Sequence, residues 1–116
     1  MTQTDPQKGT LPRAEAHDLA ALVDLLPDAV VSRTLVKRPT GNITLFAFDE
    51  GQGLSEHTAP FDAFVQMVTG TAELIIGGQP VMAKAGQVVV MPAGVPHAVR
   101  AVSPLKMLLV MIRDAV

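Results

Sequence analysis

After Pro27 the chain breaks into eight short runs of β-forming residues, none longer than nine, and turn-forming segments divide them. The runs are AVVSRTLVK, NITLFAFDE, DAFVQMV, AELIIG, QPVMAK, QVVVM, HAVRAV and KMLLVMI. Between them lie Pro39 to Gly41, Gly51 to Gly53, Thr69 to Thr71, Gly77–Gly78, Ala85–Gly86, Pro92 to Pro96 and Ser103–Pro104. Short strands at this spacing predict an all-β domain, and Gly77–Gly78 suits a two-residue hairpin turn. With 116 residues there is room for one core. VVVM and MLLVMI are apolar on both faces, so each needs cover on both sides. A second copy of the chain would supply the outer cover, and a homodimer is the expected assembly.

Ahead of Pro27 the pattern differs. Residues 1–13 are polar and Pro/Gly-bearing and are expected to form a flexible tail, leaving 14–116 as the folded domain. From Ala14 to Leu26, Leu19, Leu22, Val23 and Leu26 recur at spacings of three and four, which predicts a short lead-in, either a helix or an extended segment.

Composition removes several classes of function. Zero cysteines exclude disulfides, thiolate metal sites and a Cys nucleophile. A formal charge of −2 with no basic stripe argues against nucleic acid and anionic membrane surfaces. Neither a secretory leader nor a bilayer-length apolar run is evident, so a soluble cytoplasmic protein is expected.

Two spacings carry chemical information. Gly51 is followed after five residues by His57, and then by Gly70. Gly86 is followed after five residues by Pro92, then by Gly94 and His97. Glycines permit left-handed turns, and Pro92 cannot donate to a strand ladder, so each His stands near the start or end of a strand.

In these two spacings the chain resembles the cupin superfamily, over roughly Gly51 to Ala101. The resemblance implies a small double-stranded β-helix, the jelly-roll barrel, in which His57 and His97 converge inside, within roughly 5 Å of each other, where a metal ion is commonly held. The first motif is degenerate. Its second His falls at Ala59 and its Glu at Ala63, and the Asn that follows the second motif falls at Ala101. Methyl groups therefore stand where ligands would, and any divalent ion (iron, manganese, nickel or zinc) is expected to bind weakly.

The candidates for a missing ligand are Glu56, Asp62 and Gln66. If position 63 faces inward, Val65 and Met67 follow it while Asp62 and Gln66 face out. A bulge between Ala59 and Ala63, helped by Pro60, would bring Asp62 or Gln66 inside.

Two functional readings follow. In one, a barrel cavity lined by Val65, Met67 and Val99 holds a small, largely apolar organic molecule anchored by His57 and His97. In the alternative, the chain is a metal-dependent enzyme of dioxygenase, isomerase, decarboxylase or lyase type, using His57, His97 and a third ligand. A metal-free enzyme with one His as general base is a variant of the second.

Overall fold

The computed structural model describes residues 10–113. Nine strands form: β1 (Val30–Arg38), β2 (Gly41–Phe48), β3 (Gly53–His57), β4 (Asp62–Thr69), β5 (Thr71–Ile76), β6 (Gln79–Lys84), β7 (Val88–Met91), β8 (His97–Ala101) and β9 (Leu105–Ile112). Every pairing is antiparallel. The strands build a five-stranded sheet in the order β1-β2-β9-β4-β7 and a four-stranded sheet in the order β3-β8-β5-β6. This is the expected all-β jelly-roll architecture. Eight of the strands coincide with the apolar runs. The ninth, β3, reads GLSEH and has one apolar residue, Leu54, so hydrophobic patterning does not mark it.

The lead-in is mostly irregular, with a single 3₁₀ turn at Leu19–Ala21. Leu11, Leu19, Leu22 and Val23 pack against Leu35, Leu45 and Ala47 on the outer face of the five-stranded sheet, forming a second, smaller core. Its carbonyls are held from that sheet, since Arg33 donates to Leu22 O and Lys106 to Ala20 O. Of the expected tail, residues 1–9 lie outside the described residues, while Leu11 N–H donates to Leu35 O at 2.9 Å.

The main core lies between the sheets, and register arranges it in rows. On the five-stranded sheet one row reads Lys37, Asn42, Met111, Ala63, Met91, the next Thr34, Thr44, Leu109, Val65, Val89, and the next Ser32, Phe46, Met107, Met67. On the four-stranded sheet the rows read His57, His97, Ile76, Gln79, then Leu54, Val99, Leu74, Val81, then Ala101, Ala72, Ala83. Phe48, Met67, Leu74, Leu105, Met107 and Val65 are fully buried, each contributing about 1.5–3 kcal/mol over exposure. The alanine row leaves the volume that Phe48, Met67 and Met107 occupy in the same cluster.

One turn closes the far end of the barrel tightly. Gly70, between β4 and β5, has φ +76°, and a Cβ there would run into Pro104 O and lie 2.7 Å from Leu105 Cβ. Gly51 has a similar φ of +82° but open space around it. Gly70→Ala should therefore lower unfolding free energy by about 3 kcal/mol or more, whereas Gly51→Ala should cost about 1 kcal/mol. Urea denaturation of the two variants checks the difference, and equal losses would contradict the contact at Gly70.

Candidate functional site

His57 ends β3 and His97 begins β8, and the two are direct cross-strand partners. That pairing depends on an irregularity. Gly53 pairs Arg100 and Leu54 pairs Val99, so an unbroken ladder would set Glu56 opposite His97. One extra residue in the Ser55–Glu56 segment shifts the register and sets His57 there instead. Leu54, which packs against the core, and His57 thus share the interior face although their spacing is odd. The bulge lies in β3 rather than between Ala59 and Ala63. The β4–β9 ladder runs unbroken from Asp62 to Met67.

The imidazoles stack edge to face, with ring centroids 4.4 Å apart and an interplanar angle of 66°. His97 is buried and His57 exposed, so the pair spans the wall from core to solvent. His57 Nδ1 lies 2.8 Å from Ser55 O, and His97 Nδ1 lies 3.1 Å from Val95 O. A carbonyl only accepts, so each neutral ring carries its hydrogen on Nδ1 and presents the lone pair of Nε2.

The loops that carry these rings are tied together. The β3–β4 and β7–β8 connections meet where Gly94 N–H donates to Ala59 O at 2.8 Å and Ala93 N–H donates to Asp62 Oδ1 at 2.9 Å. Gly77 N–H donates to Pro96 O at 2.8 Å and brings the β5–β6 turn to the same rim. These connections bring the end of β3, the start of β8 and the β4–β7 edge that carries Ala63 and Met91 to one rim, the mouth of the barrel. Beside it, Pro60, Phe61, Asp62, Ala93 and Ile112 line an open cleft of about 320 Å³, with the Arg113 guanidinium 5.0 Å from the Phe61 ring centre.

The other sequence candidates are distributed differently. Ala63 is buried and inward, as parity requires, and so are Val65, Met67 and Val99, which sit in the main core. Asp62 is exposed and occupied by the Ala93 N–H. Gln66 is exposed, paired with Val88 and Leu108 on the outer face, and Glu56 is exposed at the bulge. Among the described residues no three His, Asp or Glu side chains come together as a metal-binding group. Two imidazoles fall short of the three or more protein ligands of a catalytic ion, so the donor set does not fit one. One buried polar atom was not marked by sequence: Asn42 Oδ1 on β2, which has no hydrogen-bond partner among the described residues. Its strand is apolar on both faces, so alternation could not assign Asn42 to the interior.

Restoring the absent ligands gives a direct check. In Ala59→His with Ala63→Glu, the Glu enters the mouth row, where an unpaired buried carboxylate is costly. The double variant should melt below the parent without metal, regain stability with manganese, iron or nickel, and bind the ion roughly a hundredfold tighter. Calorimetric titration showing no gain would mean that positions 59 and 63 do not converge with His57.

Comparison with known proteins agrees with this geometry. A family model described as Cupin domain matches residues 44–112. A conserved protein of unknown function from Streptococcus pyogenes is 39% identical, the match covering 92% of this chain and 94% of that one, with a TM-score of 0.88. A cupin 2 conserved barrel domain protein from Leptotrichia buccalis is 35% identical over 84% of this chain and 47% of its own, with a TM-score of 0.81. A salicylate 1,2-dioxygenase from Pseudaminobacter salicylatoxidans, 15% identical over 75% of this chain and 27% of its own at a TM-score of 0.68, shares the fold alone. A search of curated proteins found no match.

Proposed function

The chain belongs to the cupin domain family, and on that premise we propose that it is a small-molecule-binding cupin whose mouth holds a largely apolar ligand through His57 and His97. The observation that carries this reading is the pair of rings 4.4 Å apart, each oriented through Nδ1 by a backbone carbonyl. Such a pair is preorganised to receive a polar group at Nε2, and the Met91, Met111, Ala63 and Ile76 side chains supply apolar surroundings. The fold by itself accommodates both binding proteins and enzymes.

The alternative, a metal-dependent enzyme, also draws on the ring orientation, because metal-ligating His commonly donates its second nitrogen to a carbonyl. Among the described residues no third His, Asp or Glu joins the pair, so the binding reading is preferred. Elemental analysis of protein purified without chelator or affinity metal separates the two. We expect substoichiometric transition metal, together with shifts of the His57 and His97 ring resonances on titration with small organic molecules. A retained stoichiometric ion would overturn the binding reading in favour of the enzyme.

We also propose that a second copy of the chain covers the part of the outer face of the five-stranded sheet that the lead-in leaves exposed, toward β7. Ile43, Val110, Phe64 and Val90 form one apolar row across that face, and Val88 and Val90 on the β7 edge are 56% and 57% exposed. A twofold pair buries such a strip against its own copy. Light scattering should report about twice the 12.2 kDa chain mass. A mass at the monomer value at all accessible concentrations would remove the proposal.

A further inference from the structure

On its outer face the five-stranded sheet ends, toward the mouth, in a row read across four strands: Arg38 pairs Gly41, Gly41 pairs Ile112, and Ile112 pairs Asp62. The row has a cation at its β1 end and a carboxylate at its β4 end. Neighbouring strands lie about 4.8 Å apart, so the backbones carrying the two charges are about 14 Å from each other. Both side chains are exposed, and among the described residues neither forms an ion pair. Arg38 Nη1 donates only to the adjacent Lys37 O, and Asp62 uses Oδ1 for the Ala93 N–H. Between them Ile112 is 66% exposed, more than any other large apolar side chain among the described residues. The next row, Val36, Ile43, Val110, Phe64 and Val90, is apolar throughout. The lead-in reaches Ile43 of that row and otherwise packs on Leu35, Leu45 and Ala47. At the Asp62 end the first row opens into the cleft of about 320 Å³ lined by Pro60, Phe61, Asp62, Ala93 and Ile112, which has apolar walls and one carboxylate.

We propose that this cleft receives Arg38 of a second copy of the chain, and that the Arg38–Asp62 pair sets the register in which the two copies meet. The inference rests on the dimer reading above and adds to it the contact that orients the copies. A twofold axis along β9, the middle strand, lays β1 of one copy on β7 of the other and β2 on β4. Val36 then meets Val90, Ile43 meets Phe64, and Val110 and Ile112 meet their own counterparts. In the same arrangement Arg38 descends on the cleft beside Asp62. An arginine stem is apolar and suits the Ile112 and Phe61 walls, while its planar fork matches a carboxylate. Each copy gives one arginine and receives one. A twofold axis laid along the row instead would set Arg38 on Arg38 and Asp62 on Asp62, so the charges admit the first orientation and oppose the second.

Sedimentation velocity of the full chain over a range of concentrations tests the pairing. Arg38→Glu sets two pairs of like charges in the interface and should raise the dimer dissociation constant about tenfold, as should Asp62→Arg. A 1:1 mixture of the two variants should recover the parent affinity, because the introduced Glu then faces the introduced Arg and the remaining Arg38 faces the remaining Asp62. Asp62→Asn keeps an acceptor for the Ala93 N–H and should weaken the dimer about threefold, which decides the matter if Asp62→Arg does not fold. Variants that dimerise as tightly as the parent, or a mixture of folded variants no tighter than either alone, overturn the Arg38 assignment and leave the dimer reading standing. A parent chain that stays at 12.2 kDa at all accessible concentrations overturns both.

Discussion

Strand register is the constraint on which the rest of the barrel depends. Side chains alternate between faces, so a slip of one residue in any ladder exchanges core for surface along the whole strand. Across the five-stranded sheet the β2–β9–β4–β7 pairings set interior residues in rows, and the second sheet repeats the arrangement. The single extra residue at Ser55–Glu56 is a controlled departure from this order. It lets β3 keep Leu54 in the core and still place His57 beside His97. Without it, a carboxylate would occupy the position opposite a buried imidazole, and the mouth would have a different charge and a different chemistry.

Two different physical tasks are assigned to the two ends of the barrel. At the far end, Gly70 allows β4 to turn into β5 against Pro104 and Leu105, and the alanines of β5, β6 and β8 admit the largest side chains. At the mouth, the loops are joined by backbone hydrogen bonds and by the Asp62 carboxylate, which fixes the β3–β4 loop to Ala93. Asp62 is thus part of the frame around the site. Its Oδ1 accepts the Ala93 N–H, so this exposed carboxylate holds the rim from the start of β4.

Much of this was legible in the sequence because turns and apolar runs are local signals. The Gly86, Pro92, Gly94 and His97 spacing located the second imidazole, and parity placed Ala63, Val65 and Met67 inside. What escaped was set by tertiary pairing. Strand β3 carries too little apolar surface to announce itself, and a bulge made of Ser and Glu lacks the glycine that would mark it. Asn42 escaped for a related reason: Ile43 and Leu45 on one side of β2 are as apolar as Phe46 and Phe48 on the other. Only the neighbouring strand and the lead-in decide which side is the interior.

The interior methionines carry a consequence of their own. Met67 and Met107 form one pair in the core, and Met111 and Met91 flank Ala63 two residues nearer the mouth, with Val65 and Leu109 between. Conversion of any of them to the sulfoxide would insert a polar, chiral group among closely packed neighbours. Ala63, paired with both Met91 and Met111, sets a methyl group between two of them.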